Sequence, residues 1–308
     1  EEVEMIRPRL NAPGEWTPIG TEVPGLAGEF FLVTGSGKYF RNIIVDPEVC
    51  LAIIELDDKG VNYRIRWGLV EGGRPTSELP THLMNHEVKK KLTNGKHRVI
   101  YHAHTTNTIA LTFVLPLDDK VFTRELWESA TECPVVFPDG VGVVPWMVPG
   151  GREIAVKTAE LMKKYDVVIW AHHGMFCSGE DFDLTFGLLH TVEKSAEILV
   201  KILSMTPHKL QTIQPDNFRA LAKDFKVTLP EEFLYEKEFF NIIAGIIFTP
   251  ESAIGFCNWC LISQKRDSVD CTVKPDLFTN YVNGHIALST DDLETGFLRG
   301  VGKKKSSF

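Results

Sequence analysis

A chain of 308 residues, 44% apolar and 24% charged, has room for one large domain or two ordinary ones and the composition of a soluble globular protein. A core of that size needs neither disulfides nor a structural metal. The formal net charge of −8 argues against nucleic acid or an anionic membrane as partner. No run approaches the roughly 18 apolar residues of a spanning helix, and no signal peptide is visible.

Residues 1–28, rich in Pro and Gly, read as an extended lead-in. Strand texture begins at Glu29. The runs EFFLVT (29–34), CLAIIEL (50–56), VNYRIRW (61–67), RVIYHAH (98–104), PVVF (134–137) and DVVIW (166–170) are rich in β-branched and aromatic residues and are bounded by turn formers. Asp58-Lys59-Gly60 and Asp139-Gly140 read as hairpin turns. Helical periodicity falls in 151–165, with Ile154, Leu161 and Met162 on one face, and in 181–205. Asp216 reads as the N-cap of a helix through Phe225. Strands joined by both hairpins and helices predict a layered α/β or α+β domain with a mixed or antiparallel sheet. The texture changes near residue 237, just before the apolar run FFNIIAGIIF (239–248).

Six motifs bear on chemistry. Thr34-Gly35-Ser36-Gly37-Lys38 offers backbone N–H groups, a hydroxyl and an amine, but not Walker spacing; it reads as a phosphate cradle of another kind or a plain turn. In Thr76-Ser77-Glu78-Leu79-Pro80, the proline suits a first helical turn, with Thr76 or Ser77 near the N-cap. Those hydroxyls suit an anion, and Glu78 suits acid/base work if a metal lies close; an ordinary capped helix is the alternative. His102 and His104, two apart on a strand, face the same side and can share one metal ion. A third ligand falls at His172 or His173, where a buried strand ends before Gly174; spacing alone does not choose between them. Glu128 and Glu132, near Trp127, read as exposed helix acids. Cys50, Cys133 and Cys177 read as buried free thiols, and Cys257-x-x-Cys260 lacks the second pair a zinc site needs. Reduced thiols fit a cytoplasmic home.

The segments FLVTGSGKYFRN, WGL…PTSELPTHL, TNGKHRVIYHAHTTN, TRELWESATECPVVFPDGVGVVPWMVPG and WAHHGMFCSG, in this order, resemble the class II aldolase/adducin superfamily from about Val23 to Phe225. The resemblance implies an α/β fold with a central, mainly antiparallel sheet flanked by helices, in a homotetramer whose active sites lie between subunits. It places the Zn²⁺ ligands at His102, His104 and His173, and the acid/base at Glu78. Phosphate contacts fall on Ser36, Thr76 and Ser77, and a glutamate from the neighbouring subunit falls on Glu132. The implied reaction is reversible retro-aldol cleavage of a phosphorylated ketose, L-rhamnulose 1-phosphate, to dihydroxyacetone phosphate and L-lactaldehyde.

Epimerases, dehydratases and other sugar-phosphate aldolases share the scaffold, and adducin-like heads keep it without the metal site. Three retained histidines and Glu78 argue against the last, and Glu132 within LWESATE favours the rhamnulose substrate. The domain expectation is 1–237 for the aldolase and 238–308 for an extension of unknown nature. In the family a helix and a Gly-Gly-Asn segment precede the region where this chain begins. Nothing in 1–28 replaces them, so weak or no activity is expected of the chain as it stands.

Overall fold

The computed structural model describes residues 2–206, 209–235, 278–282 and 285–288. The chain divides into two compact units, Glu1–Lys237 and Glu238–Phe308. In the first, helices α1 (Glu2–Ile6), α2 (Pro47–Cys50), α3 (Leu79–Leu92), α4 (Thr106–Leu111), α5 (Asp119–Trp127), α6 (Cys133–Val136), α7 (Arg152–Leu161), α8 (Phe182–Met205) and α9 (Pro215–Phe225) alternate with eight strands. These are β1 (Thr17–Pro18), β2 (Phe30–Thr34), β3 (Leu51–Leu56), β4 (Asn62–Gly68), β5 (Val99–Ala103), β6 (Gly142–Val144), β7 (Val167–Trp170) and β8 (Gly174–Gly179). In the second unit, β9 (Phe278–Val282) pairs antiparallel with β10 (His285–Leu288). FFNIIAGIIF and the Cys257/Cys260 pair lie outside the described residues.

Hydrogen bonding sorts the first unit's strands into two four-stranded sheets. One runs β1-β4-β3-β2, antiparallel throughout. The other runs β5-β8-β7-β6, antiparallel except where β6 pairs parallel with β7. The α/β class with mainly antiparallel sheet holds.

Side-chain alternation explains the layering. In β3, Ala52, Ile54 and Leu56 point inward and pack with Leu79 and Leu83 of α3 and with Ile19, Val23 and Leu26. In β7, alternate residues enter separate cores, which is why VVIW reads as one apolar run. Val167 and Ile169 join Met175 and Cys177 against α5 and α8, while Val168 and Trp170 join Phe176 against Ile154 of α7. The second sheet is therefore covered on both faces, and its ends are where polar side chains can emerge. Lys89, buried on α3, donates to the Tyr165 carbonyl at 2.9 Å and to Asp166 at 2.5 Å. That contact ties the helix headed by Glu78 to the start of β7.

Several local expectations are corrected. Residues 1–28 contain helical turns at Glu2–Ile6, Arg7–Arg9 and Pro24–Leu26, and Val23 is fully buried. The first three residues of PVVF are helical and Phe137 is the C-cap: Pro134 suits a first turn, and the Val135 and Val136 N–H groups both donate to the Glu132 carbonyl at 3.0 Å. Asp139-Gly140 turns the chain from α6 into β6 rather than between paired strands. The N-cap of α9 is Gln214, in a capping box with Asn217, because Pro215 takes the first helical position. Thr76 and Ser77 lie just before the N-cap of α3, which is Glu78. Strand β8, with its Gly, Met and Cys, carried no strand signal. Cys50, Cys133 and Cys177 are buried free thiols, and burial pushes Cys133 up to about 12. Among the described residues, no helix is long and apolar enough to cross a membrane.

Glu128 is not an exposed helix acid. It is buried, and Arg124, one turn earlier and 1% exposed, donates to it at 2.6 Å. Arg124 also donates to the Phe233 and Tyr235 carbonyls at 3.1 and 3.2 Å and lies over the Phe218 ring. Removing Arg124 takes the closer cation from the buried Glu128, leaving Lys209 at 3.3 Å, and leaves the two carbonyls without their donor. Arg124→Ala is expected to lower stability by about 3–5 kcal/mol, read from urea unfolding. Removing the exposed Lys163, paired with Glu160, should change it by less than about 0.5 kcal/mol.

Candidate metal centre

The β5 ladder sets the first ligand. His102 pairs with Phe176 across β5–β8, and its Nδ1 lies 3.1 Å from the Met175 carbonyl oxygen. A carbonyl only accepts, so Nδ1 carries the proton and Nε2 keeps its lone pair. His104 follows the strand's end at Ala103, and its ring centroid lies 5.3 Å from that of His102.

The third imidazole arrives by a chain reversal. β7 ends at Trp170, and the His173 N–H donates back to the Trp170 carbonyl at 3.1 Å. His172 takes a positive φ of +61°, an uncommon conformation for a side-chain-bearing residue. A Cβ on Gly174 would sit 2.2 Å from the Ala103 carbonyl oxygen, so only glycine permits this approach to the end of β5. His173 thereby reaches ring-centroid distances of 5.2 Å from His102 and 4.8 Å from His104. His172 is exposed; its N–H donates to the Thr112 hydroxyl at 3.0 Å and its ring packs on Phe113.

One ring nitrogen from each of His102, His104 and His173 lies within 4.8 Å of the others. The donor set fits a metal ion on chemical grounds. Nε2 of His102 and Nε2 of His173 are buried without a hydrogen-bond partner among the described residues. An unsatisfied buried polar atom costs about 1–3 kcal/mol, which ligation would offset. His102 stacks on Phe176 at 4.2 Å and His173 meets Trp170 edge-on at 5.2 Å. Burial first, then His82 and His173, push His102 down to about 3. Burial and His104 also lower His173. Neutral imidazoles with free lone pairs are what a borderline metal ion takes.

Glu78 heads α3, half-buried, close enough for its charge to act on both His102 and His173. Burial raises its pKa, but the Thr76 hydroxyl at 2.8 Å, the Ser77 hydroxyl at 3.0 Å and His102 outweigh it, and the net shift is downward. Thr76 and Ser77 thus hold the carboxylate in this structure. The turn bearing Ser36 lies beside them. The Ser36 N–H donates to the Arg74 carbonyl at 2.8 Å, and the Thr76 N–H donates to the Thr34 carbonyl at 2.9 Å. Ser36, Thr76 and Ser77 therefore sit on two paired segments. Glu132 is exposed at the head of α6 and does not join the histidine group within one chain. The Met175 carbonyl that fixes the His102 tautomer was not foreseen, and a backbone group leaves no residue-type signal.

Residues 12–200 match the family model described as the class II aldolase and adducin N-terminal domain. The chain belongs to the class II aldolase and adducin family. Within it, the chain is 59% identical over 210 residues to the rhamnulose-1-phosphate aldolase of Mannheimia succiniciproducens, covering 68% of this chain and 77% of that one. It is 51% identical over 226 residues to the rhamnulose-1-phosphate aldolase of Klebsiella pneumoniae, covering 73% and 82%. Among solved structures, a sugar-phosphate aldolase from Thermotoga maritima superposes with a TM-score of 0.56 at 27% identity, over 65% of this chain and 82% of that one.

Proposed function

We propose that this chain is a zinc-dependent lyase that cleaves L-rhamnulose 1-phosphate reversibly to dihydroxyacetone phosphate and L-lactaldehyde. The observation that carries the reading is the three-imidazole group beside Glu78, in a chain so similar to aldolases named for that substrate. His102, His104 and His173 would hold the ion, whose contribution when bound is Lewis-acid polarisation of the ketose carbonyl.

The chain's own residues supply the rest. Ser36, Thr76 and Ser77 bind the phosphate: two hydroxyls and a Gly-rich turn on paired segments offer the donors a phosphate needs. Thr76 and Ser77 orient the Glu78 carboxylate until substrate enters and competes for their hydroxyls. Glu78 then delivers a proton to the carbon that loses its C3–C4 bond, and removes the same proton in the synthetic direction. Glu132, from a neighbouring subunit of a homotetramer, handles the proton on the aldehyde oxygen. Its exposure on α6 suits contact with a second subunit. The buried free thiols suit a reducing, cytoplasmic location.

The test pairs elemental analysis with a product assay. One zinc per chain, and lactaldehyde released faster from rhamnulose 1-phosphate than from fuculose 1-phosphate, are the expected results. A preference for fuculose 1-phosphate would sink the substrate assignment.

A further inference from the structure

Helix α4 joins the two segments that carry the histidines. It starts at Thr106, just past His104, and ends on Thr112, which contacts the loop bearing His173. The Thr112 hydroxyl donates to the Ile109 carbonyl at 2.7 Å and accepts the His172 N–H at 3.0 Å. At the other end, the cap residue Thr105 makes no side-chain cap bond, so the first-turn N–H groups need an acceptor from elsewhere. Glu193 of α8 supplies it. One carboxylate oxygen accepts from the N–H and the side-chain amide of Asn107, both at 2.9 Å. The other accepts from the N–H of Thr108 at 3.0 Å and its hydroxyl at 2.7 Å.

Four donors on one carboxylate exceed what an exposed surface acid collects. A helix as short as α4 does not hold itself together in isolation. Its register is set by Glu193 at the head and by Thr112 at the foot. We propose that Glu193 is a positioning residue for the metal centre: by clamping α4 it fixes the separation of His104 from His173. Three ligands from two chain segments bind one ion well only if that separation is held, and residues that orient ligands commonly matter tenfold to a hundredfold in metal affinity. The inference rests on the metal-binding reading above.

The experiment titrates the metal-free full chain with Zn²⁺ against a chromophoric chelator and records the ligand-field band of the Co²⁺-loaded form. The variants are Glu193→Ala, Glu193→Gln, Glu193→Asp and Thr112→Val. Wild type is expected to bind one ion per chain. Glu193→Ala should bind zinc about 10–100-fold more weakly with an altered Co²⁺ band, and Thr112→Val should weaken it in the same direction. Glu193→Asp, which keeps both acceptor oxygens, should recover part of the loss. If Glu193→Ala does not fold, Glu193→Gln decides by the same readouts, since it keeps the shape and one acceptor. Zinc affinity within twofold of wild type and an unchanged Co²⁺ band in the deciding variant, whatever its melting temperature, overturn the proposal and leave Glu193 a structural clamp. A wild-type chain that binds no metal overturns the metal reading and this inference together.

Discussion

Replacing His173 with alanine is expected to leave a folded chain that no longer retains metal and turns over about 10³-fold more slowly. The size follows from the chemistry the ion supplies: Lewis-acid stabilisation is worth several kcal/mol, and each 1.36 kcal/mol is a factor of ten. The fold should survive because Nε2 of His173 has no hydrogen-bond partner to lose among the described residues, and the ring is half-buried. The packing lost is its ring contacts with His104, His102 and Trp170. The control is His172→Ala. Truncation removes the contact of the His172 Nδ1 with the Thr112 hydroxyl at 3.2 Å, but the residue is exposed and the backbone N–H that bonds Thr112 at 3.0 Å remains. Metal content near wild type is expected there. A His173→Ala protein that keeps one ion per chain, or a His172→Ala protein that loses it, would mean that the ligand set is wrong.

The choice between those two neighbours shows what residue order can and cannot carry. His102 and His104 were legible because a strand has period two, so both imidazoles had to emerge on one side. His172 and His173 were not separable, because what aims them is a positive φ at His172 and the glycine-only approach of Gly174 to Ala103. Neither leaves a periodic trace. The family resemblance named His173, and the geometry supplies the physical reason that His172 faces Thr112 instead. The same division runs through the fold. LAIIEL and DVVIW announce themselves because burial follows the pleat. GMFCSG does not, since its strand is sustained by pairing with both β5 and β7 rather than by propensity. Glu128 was misread although Arg124, four residues earlier, was there to be seen; the spacing marks a pair but not its burial. Glu193 lies 86 residues from Asn107, a distance no local pattern crosses.

The second large effect belongs to Glu78. Glu78→Gln is expected to lower kcat by about 10²–10⁴-fold, the range of a positioned acid/base, with metal content unchanged and KM within a few-fold of wild type. The substitution suits the question because it keeps the shape and an acceptor oxygen. The Thr76 and Ser77 hydroxyls can also turn to accept from the new amide, so the head of α3 should keep its arrangement. What disappears is the ability to carry a proton. A second readout isolates that step from aldehyde chemistry. Incubated with dihydroxyacetone phosphate alone in D₂O, the wild-type enzyme should exchange one carbon-bound hydrogen for deuterium, because in the proposed path the proton delivered by Glu78 in cleavage is the one it removes in synthesis. Glu78→Gln should lose that exchange while still holding zinc, whereas His173→Ala should lose both. A Gln variant that exchanges at the wild-type rate would remove Glu78 from the proton path and leave it a carboxylate that merely balances the charge of the centre. The low pKa that Thr76, Ser77 and His102 impose favours the synthetic direction, in which Glu78 is the base. It keeps the carboxylate ionised when substrate arrives, and displacement of the two hydroxyls by the phosphate would free it to act as a base.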